Sequence, residues 1–463
     1  MKKLRLFLLI LLLIPCFFLG GCDFLVPERV VTDISKSGVN GNIVTYTITY
    51  SDGSTSNFSV ENGEDGQDLT LEVIQAYCTQ QGITLEEYFN SLDIELNSIE
   101  KATNLALKSA VTITAVSPYQ TGSQYLQRAG GAGVIYKMNE VSNISYIITN
   151  YHVVATTTTL SGIASEIKIF QYGADMRVTV DNPDDHQQTM SGSYCYKGYN
   201  FSSSAVSAAY VGGSNTYDIA ILQVETDDLL AVYPHACPVT VAKNYAVANT
   251  AIAIGNPNAS GMSVTKGIVS VESETLTLDG IDYRVMRMDT PVNPGNSGGG
   301  LFNDKGELIG IVNAKMESAK IDNIAYAIPF DNAILVADNI IDNECVKKLY
   351  LGISYATENC HAVYDTNTKT TLLYDELVIK KVDAGSVGET YGLLVDDKIT
   401  KVIINTESYT IRRAYQLADL LLKVRAGDSI AFYGTRVVNE ETLTNYKLGE
   451  CNNVLANQLK IIE

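Results

Sequence analysis

The sequence predicts a mostly β protein, and two observations lead to this fold class. From about residue 109 to residue 345, short apolar runs rich in Val, Ile and Thr alternate with turns, and no long helix separates them. This spacing is typical of β-barrels and β-sandwiches. Within this region the stretch 172–213 is long and polar, with Tyr, Ser and Gly throughout, and looks like an insertion between two core strands. The chain has 463 residues, of which 46% are apolar, which is enough for about three folded units.

The first residues have the pattern of an export signal. Lys2, Lys3 and Arg5 precede a continuous apolar run that is too short to span a bilayer comfortably. The run ends at Gly-Gly-Cys22, which resembles the bacterial lipobox, where cleavage precedes a cysteine that becomes lipidated. We expect residues 1–21 to be a lipoprotein signal peptide and Cys22 to anchor the protein at the extracytoplasmic face of the cell membrane. A plain secretory signal with an incidental cysteine is the alternative.

Charge and cysteine usage exclude several classes of function. The formal net charge is −19, so the surface is too acidic for nucleic-acid binding or for simple adhesion to anionic lipid. The cysteines beyond the signal are scattered and show no metal-binding spacing, so we expect neither a metal nor another cofactor. Outside the cell these thiols could pair or stay free, and the sequence favours neither.

Residues 22–108 precede the β-rich region that begins near residue 109 and look like a separate module. Alternation over 42–50, a turn at 51–54 and a return over 55–60 predict a β-hairpin, and a linker extends to residue 68. Residues 69–108 have apolar residues at helical spacing. We interpret this module as a spacer that lifts the rest of the chain off the membrane; a binding role for the hairpin is the alternative.

Three side chains have the chemistry of a serine hydrolase. Ser297 lies between glycines in Gly-Asn-Ser-Gly-Gly, His152 directly follows a predicted strand, and Asp218 opens another apolar strand. A serine hydroxyl needs a base to take its proton, and the base needs an acid to orient it. The motif also fits the nucleophile elbow of α/β-hydrolases. That fold requires a helix after the serine and partners downstream, whereas here strand–turn–strand follows and the partners lie upstream.

Residues 109–345 resemble a trypsin-like serine protease of the HtrA/DegP group. The matching segments, in chain order, are 131–135, 148–154, 218–222, 253–257, 263–270, 289–299 and 325–329. The resemblance implies a chymotrypsin-type double β-barrel with the catalytic residues His152, Asp218 and Ser297. It also implies an oxyanion hole at Gly295, Asn296 and Ser297.

Residue identity near the serine suggests how the activity is controlled and what is cut. Asn296 is neutral where trypsin-type zymogens have an acid that pairs with a newly cut N-terminus, so activation by cleavage is not expected. The resemblance implies control by loop ordering instead, in which binding at a C-terminal PDZ domain or binding of substrate shifts the loop equilibrium. We assign the specificity pocket to Ile311, Val312 and Asn313; with no acid there, small or medium apolar side chains before the cut are favoured over Lys or Arg.

Residues 346–463 resemble the PDZ domain that follows the protease in this group. The segment Tyr350-Leu351-Gly352-Ile353 is expected to start a strand and matches the loop that binds a peptide carboxylate. A helix expected over about 411–424 would form the other wall of the groove. This implies binding of C-terminal peptides by strand addition. Tyr391 and Asp396 depart from the usual pattern, so the peptide preference stays open.

Together these features predict a membrane-anchored, extracytoplasmic serine endopeptidase that acts on misfolded or unassembled proteins. Its partners would be protein and peptide substrates, with no nucleic acid, and the resemblance implies a homotrimer. Two alternatives remain. The protein could be a protease-like chaperone or binding scaffold with a silent site, or a regulatory protease that cuts one signalling substrate.

Overall fold

A computed structural model describes residues 31–40, 43–50, 54–61, 98–120, 122–156, 162–189, 192–259, 261–278, 280–316, 324–366 and 370–463. These residues form two compact units, which divide between residues 97 and 98. The predicted signal peptide, Cys22, Cys78 and most of the predicted helical spacer lie outside the described residues. Within the described ranges, no helix is both long and apolar enough to cross a membrane.

The first unit is a three-stranded antiparallel sheet in the order β1-β2-β3. Its strands are β1 (Val31–Asn40), β2 (Ile43–Tyr50) and β3 (Thr55–Glu61). β2 and β3 pair at the position of the predicted hairpin, and Thr47 Oγ1 donates to Asn57 Oδ1 at 2.6 Å across them. β1 is an additional strand that the sequence pattern did not indicate.

The second unit begins with a helix and a closed β-barrel. The elements are α1 (Ser98–Leu107), β4 (Ala110–Pro118), β5 (Leu126–Asn139), β6 (Ile144–Thr149), α2 (Tyr151–Val154), β7 (Ala155–Thr156), β8 (Gly162–Ile163), β9 (Glu166–Phe170), β10 (Val178–Thr179), β11 (His186–Gln188), β12 (Tyr194–Tyr196), β13 (Asn200–Phe201), β14 (Val206–Ser214), β15 (Ile219–Glu225) and α3 (Thr226–Val232). Six antiparallel strands run β5-β4-β9-β14-β15-β6, and pairing of β6 with β5 closes the barrel. Aliphatic side chains such as Ile113, Ile147 and Leu222 fill its interior.

A second closed barrel follows, with strand order β16-β17-β18-β21-β20-β19. Its elements are β16 (Thr250–Gly255), β17 (Ser263–Leu278), β18 (Ile281–Met288), β19 (Gly300–Phe302), β20 (Leu308–Val312) and β21 (Ala325–Pro329), and α4 (Phe330–Asn343) comes after it. The barrels pack on each other through an apolar cluster that includes Val134, Ile254 and Phe302. The mostly β class and the chymotrypsin-type pair of barrels are confirmed.

The polar insertion in the first barrel is shorter than its composition suggested. The sequence pattern placed it at 172–213, but β14 begins at Val206 and pairs with both β9 and β15, so the insertion ends at residue 205. Ala, Ser and Gly made this strand look like a loop. Small residues are needed there because a Cβ on Gly212 would lie 2.2 Å from the carbonyl oxygen of Glu344.

The C-terminal region forms a separate sheet with its own core. Its elements are β22 (Val346–Leu349), β23 (Ile353–Asp365), β24 (Thr370–Val382), α5 (Val387–Tyr391), β25 (Lys398–Ile404), β26 (Glu407–Thr410), α6 (Tyr415–Lys423), β27 (Ile430–Val438), β28 (Glu441–Cys451) and β29 (Leu459–Ile462). The sheet runs β23-β24-β25-β27-β28, with β26 on β25, while β22 pairs with β29. The helix predicted over about 411–424 is confined to α6, and the strand expected to start at Tyr350 starts at Ile353.

A buried ion-pair network joins this sheet to the second barrel. Arg284 of β18 forms ion pairs with Asp419 of α6 and with Asp331 of α4, the latter at 2.8 Å. Asn332 Nδ2 donates to Asp419 Oδ1 at 2.7 Å, and the Arg284 guanidinium lies 3.8 Å from the centre of the Tyr415 ring. Buried charges need such partners, because an unpaired buried charge costs several kcal/mol. The network therefore fixes α6 against the protease region.

Candidate active site

His152 is placed by a short helix at the rim of the first barrel. The buried strand β6 ends at Thr149, and α2 begins two residues later. The buried side chain of Asn150 donates from Nδ2 to the backbone carbonyl of Asp218 at 2.8 Å. This bond ties the start of α2 to the start of β15, so the predicted base and the predicted acid are brought together.

Asp218 is fully buried and accepts three hydrogen bonds. Its carboxylate accepts from the backbone N–H of His152 at 3.0 Å, from His152 Nδ1 at 2.7 Å and from Asn313 Nδ2 at 2.7 Å. A carboxylate acceptor at Nδ1 selects the imidazole tautomer whose Nε2 is free to take a proton. Asp218 has a φ of 49°, a left-handed conformation that Asp adopts more readily than most residues. The pair thus has the geometry of a base and its orienting acid.

The loop before Asp218 is held by the C-terminal region. The backbone N–H of Thr216 donates to the carbonyl of Glu463 at 3.1 Å, and Lys348 Nζ donates to the Tyr217 hydroxyl at 3.3 Å. Burial lowers the pKa of Lys348 and raises that of Tyr217. The position of the acid therefore depends on contacts from β22 and from the residue that follows β29.

Ser297 lies between two tight turns that glycines make possible. Asn296 N–H donates to the carbonyl of Asn293 at 3.0 Å, and Gly295 between them has a φ of 99°. With proline at the second position and a positive φ at the third, this is a type II turn. In the next turn Gly298 has a φ of 83°, and a Cβ there would lie 2.2 Å from the carbonyl oxygen of Ala132. No other residue fits this close approach.

The backbone N–H groups of Gly295 and Ser297 are the predicted oxyanion donors. The neighbouring groups are used: Gly298 N–H donates to the carbonyl of Val312 at 2.9 Å, and the Ser297 carbonyl accepts from Ala132 N–H at 2.9 Å. Across the described ranges, neither the Gly295 nor the Ser297 N–H donates to another group. Two amides beside a serine hydroxyl are thus left for an anionic oxygen, as in an oxyanion hole.

Asn296 fills a confined, apolar position between these donors. It is only 2% exposed, and a Cβ on Gly255 would lie 2.7 Å from its Cα. Its Oδ1 is buried without a hydrogen-bond partner within the described residues. A carboxylate here would be a buried charge with no cation beside it, which explains physically why a neutral side chain occupies the position.

The nucleophile and the base are linked only through neighbouring residues among those described, since Asn313 donates to Asp218, the partner of His152, and the next residue, Ala314, donates to Ser297. Ser297 Oγ accepts from the backbone N–H of Ala314 at 3.1 Å, and no bond joins it to His152 in the described part of the chain. The His152 side chain is 23% exposed, so its ring is open to a ligand. Catalytic hydrogen bonds are often long in free enzymes and tighten only with substrate.

The three side chains assigned to the specificity pocket are placed differently. Ile311 and Val312 are fully buried within barrel clusters, and Asn313 donates to Asp218. Ile311 and Val312 end the buried strand β20, so their side chains pack in the apolar clusters. Asn313 follows the strand, and its side chain donates a hydrogen bond to the acid. Sequence reasoning missed this role of Asn313 and the tethering role of Asn150, although a polar residue directly after a buried strand is a usable signal.

The segment assigned to peptide binding lies between β22 and β23. Tyr350 is 48% exposed and carries Lys460 Nζ 3.3 Å above its ring, while Leu351 is buried and its carbonyl accepts from Gly388 N–H at 2.7 Å. Gly352 has a φ of 66°, and Ile353 is the first residue of β23. The segment is thus a turn held against α5 rather than a strand.

Comparisons with known proteins agree with this geometry. A family model described as a trypsin-like peptidase domain matches residues 131–311. The serine protease Do-like HtrA of Bacillus subtilis is 26% identical over 339 residues, which cover 71% of this chain and 65% of that protein. A probable periplasmic serine endoprotease of the DegP-like type from Hahella chejuensis is 30% identical over 238 residues, covering 51% of this chain and 40% of the relative.

Among solved structures, the match to the serine endoprotease from Yersinia pestis covers 76% of this chain and 97% of the chain in that structure. The sequence identity is 21% and the TM-score is 0.42. The chain spans about two thirds of the Bacillus relative and less of the Hahella relative. The match of the family model includes His152, Asp218 and Ser297. Residues 131–311 therefore match a trypsin-like peptidase domain, and the chain is similar to serine proteases of the HtrA and DegP-like types.

Proposed function

We propose that this protein is an HtrA-type serine endopeptidase with His152, Asp218 and Ser297 as its catalytic residues. The observation that carries the proposal is the combination of a buried carboxylate on His152 Nδ1, at 2.7 Å, with two free backbone N–H groups beside Ser297. The base His152, the acid Asp218 and the nucleophile Ser297 come from three different segments of the chain. Their convergence at one place is not required by the stability of either barrel.

The reaction would be acyl transfer. His152 Nε2 takes the Ser297 hydroxyl proton as Oγ attacks the peptide carbonyl, and the Gly295 and Ser297 N–H groups stabilise the resulting oxyanion. The same histidine then protonates the leaving amine. Water hydrolyses the acyl-enzyme by the reverse proton path.

The substrates we propose are misfolded or unassembled proteins outside the cytoplasm. In support, the Hahella relative is named a probable periplasmic serine endoprotease. We further propose a protease domain at 109–345, a PDZ domain at 346–463 that binds C-terminal peptides near Leu351, and lipidation at Cys22. Assembly as a homotrimer is part of the same proposal.

Covalent labelling with a fluorophosphonate probe tests the activity. The wild-type protein should label once, at Ser297, and hydrolyse an unfolded protein such as casein. Ser297→Ala should do neither, and Ser204→Ala, which changes a serine in the insertion, should behave as wild type. A wild-type protein that neither labels nor cleaves, with or without added C-terminal peptides, would contradict the proposal.

The second candidate is a binding scaffold whose protease site is inactive. It is favoured by the fact that Ser297 Oγ accepts a hydrogen bond from Ala314 N–H and, within the described residues, none from His152. Such a scaffold would suppress aggregation of an unfolded client equally well with Ser297→Ala and with wild type. The endopeptidase instead predicts that only the wild type converts the client to peptides.

A further inference from the structure

One edge of β5 is open next to the nucleophile. β5 pairs with β4 along one edge from Leu126 to Val134. On its other edge it pairs with β6 from Val134 onward and with β12 at Leu126. Between these two partners, that second edge has no strand beside it in the described part of the chain. We call residues 127–131 the β5 edge.

The backbone groups of the β5 edge point outward in a regular series. Ala132 directs both of its groups there: its N–H donates to Ser297 and its carbonyl accepts from Thr149 Oγ1 at 2.7 Å. Backbone groups alternate between the two edges of a strand, so Gly130 and Arg128 face the same way. Neither makes a hydrogen bond at this edge with another described residue. An extended peptide leaving Ser297 would find these groups free.

The insertion closes the far end of the β5 edge. Tyr196 of β12 pairs with Leu126, and the Tyr199 hydroxyl donates to the Leu126 carbonyl at 2.9 Å. A strand advances by about 3.3 Å per residue, so an added strand covers roughly four residues before it meets β12. The insertion therefore sets the length of this groove.

An unpaired cation lies at the closed end. Arg128 shares a face of β5 with Gly130, is exposed, and forms no ion pair with a described residue. The neighbouring cation Lys197 is already paired with Asp185 at 2.7 Å. In a protein of net charge −19, a free guanidinium at this position favours a carboxylate.

We propose that the β5 edge binds the leaving-group side of the substrate as an added strand, and that Arg128 selects a carboxylate about four residues beyond the cleaved bond. The carboxylate is either an acidic side chain or the C-terminus of the substrate. This inference rests on the proposed endopeptidase function and names a substrate class for it.

Internally quenched peptides test the charge preference. With Glu, Gln or Lys at the fourth residue after the cut, wild type should show about a threefold to fivefold higher kcat/KM for Glu than for Gln, as expected for an exposed ion pair. Arg128→Gln should abolish the difference and Arg128→Glu should favour Lys. Lys197→Gln is the matched control and should keep the wild-type preference. Peptides ending at that residue, with a free or an amidated C-terminus, distinguish the two sources of the carboxylate.

Two further measurements keep the inference separate from the proposed activity. With peptides carrying two to eight residues after the cut, kcat/KM should rise up to about four and then level off; a rise that continues to eight would overturn the closed groove. Binding of the same peptides to Ser297→Ala, followed by fluorescence anisotropy, needs no turnover and should show the same Glu preference. If the wild type is labelled by the fluorophosphonate probe and cleaves peptides but shows no preference for Glu, the role of Arg128 alone is overturned. If Ser297→Ala binds the peptides with the Glu preference but the wild type is not labelled, only the proposed activity is overturned.

Discussion

The two barrels have the same six-stranded antiparallel plan but contribute different chemistry. The first supplies side chains, His152 and Asp218, held by side-chain hydrogen bonds of 2.7 Å. The second supplies backbone groups: in the turns around Ser297, where Gly295 and Gly298 adopt positive φ, the N–H groups of Gly295 and Ser297 donate to no other described residue. In the proposed mechanism, proton transfer thus depends on residue identity in one barrel, and oxyanion stabilisation depends on backbone conformation in the other.

The difference teaches where each barrel is vulnerable. An isosteric change that alters only hydrogen bonding should remove the contribution of the first barrel to the proposed activity. A single methyl group added to a glycine of the turns around Ser297 should remove the contribution of the second barrel. Asn313 connects them, because this residue after a second-barrel strand donates to the first-barrel acid.

The largest effect should come from removing the charge of the acid. Asp218→Asn keeps the shape but stops favouring the Nδ1–H tautomer of His152, so kcat should fall by roughly 10⁴. Steady-state hydrolysis of a quenched peptide measures this. Asp228→Asn, at an exposed position in α3, should leave kcat unchanged, and a similar loss there would show that the assay reports stability instead.

The next largest effect should come from weakening the ion pairs that attach the C-terminal sheet to the second barrel. Arg284→Met leaves Asp419 buried without its main cation and should lower the free energy of unfolding by about 3–5 kcal/mol at neutral pH. Chemical denaturation followed by fluorescence measures the change. The double variant Arg284→Met/Asp419→Leu should recover most of it; no recovery would mean that packing of the arginine, not its charge, is what matters.

This variant should also show a pH dependence of defined sign. Burial raises the pKa of Asp419, and Arg284 opposes that rise, as do Asn332 and Lys348, whereas Asp331 reinforces it. Without Arg284 the native state binds a proton more readily than the unfolded chain. The stability deficit should therefore be largest at neutral pH and shrink as pH falls toward the native pKa of Asp419.

A methyl group on the oxyanion turn tests the second barrel directly. Gly295→Ala is strained at a φ of 99° and should displace the N–H donor, with a loss of about 10²–10³ in kcat. Gly280→Ala is the control, since that glycine has a φ of 78° with open space around it. Equal losses of activity in the two variants would refute the assignment of Gly295.

The smallest effect should come from removing the hydrogen bond that Asn313 donates to Asp218 between the barrels. Asn313→Ala removes one donor from a buried carboxylate, worth about 1.5–3 kcal/mol, and kcat/KM should fall by tenfold to a hundredfold. Asn332→Ala is a matched control, since its amide also donates to a buried aspartate at 2.7 Å but away from the site. It should cost stability and leave kcat/KM of the folded protein unchanged.

Several features were readable from local pattern. Short β-rich runs predicted the two barrels, and the order of His152, Asp218 and Ser297 excluded the α/β-hydrolase fold. Other predictions from pattern were less accurate. β14 was hidden by small residues, the start of β23 was placed three residues early, and the side chains of Ile311 and Val312 point into barrel cores instead of a pocket.

The sequence by itself determined the fold class and the chemical types at the site. Those properties follow from residue identity and from contacts between near neighbours. Only the tertiary structure decided that Asn313 serves Asp218, that Arg284 holds α6 and that Arg128 lies at the closed end of the β5 edge. The first two contacts join residues 95 and 135 positions apart, and the bond that closes the β5 edge, from Tyr199 to Leu126, joins residues 73 positions apart. These contacts depend on how two barrels and an insertion pack, which no local pattern encodes.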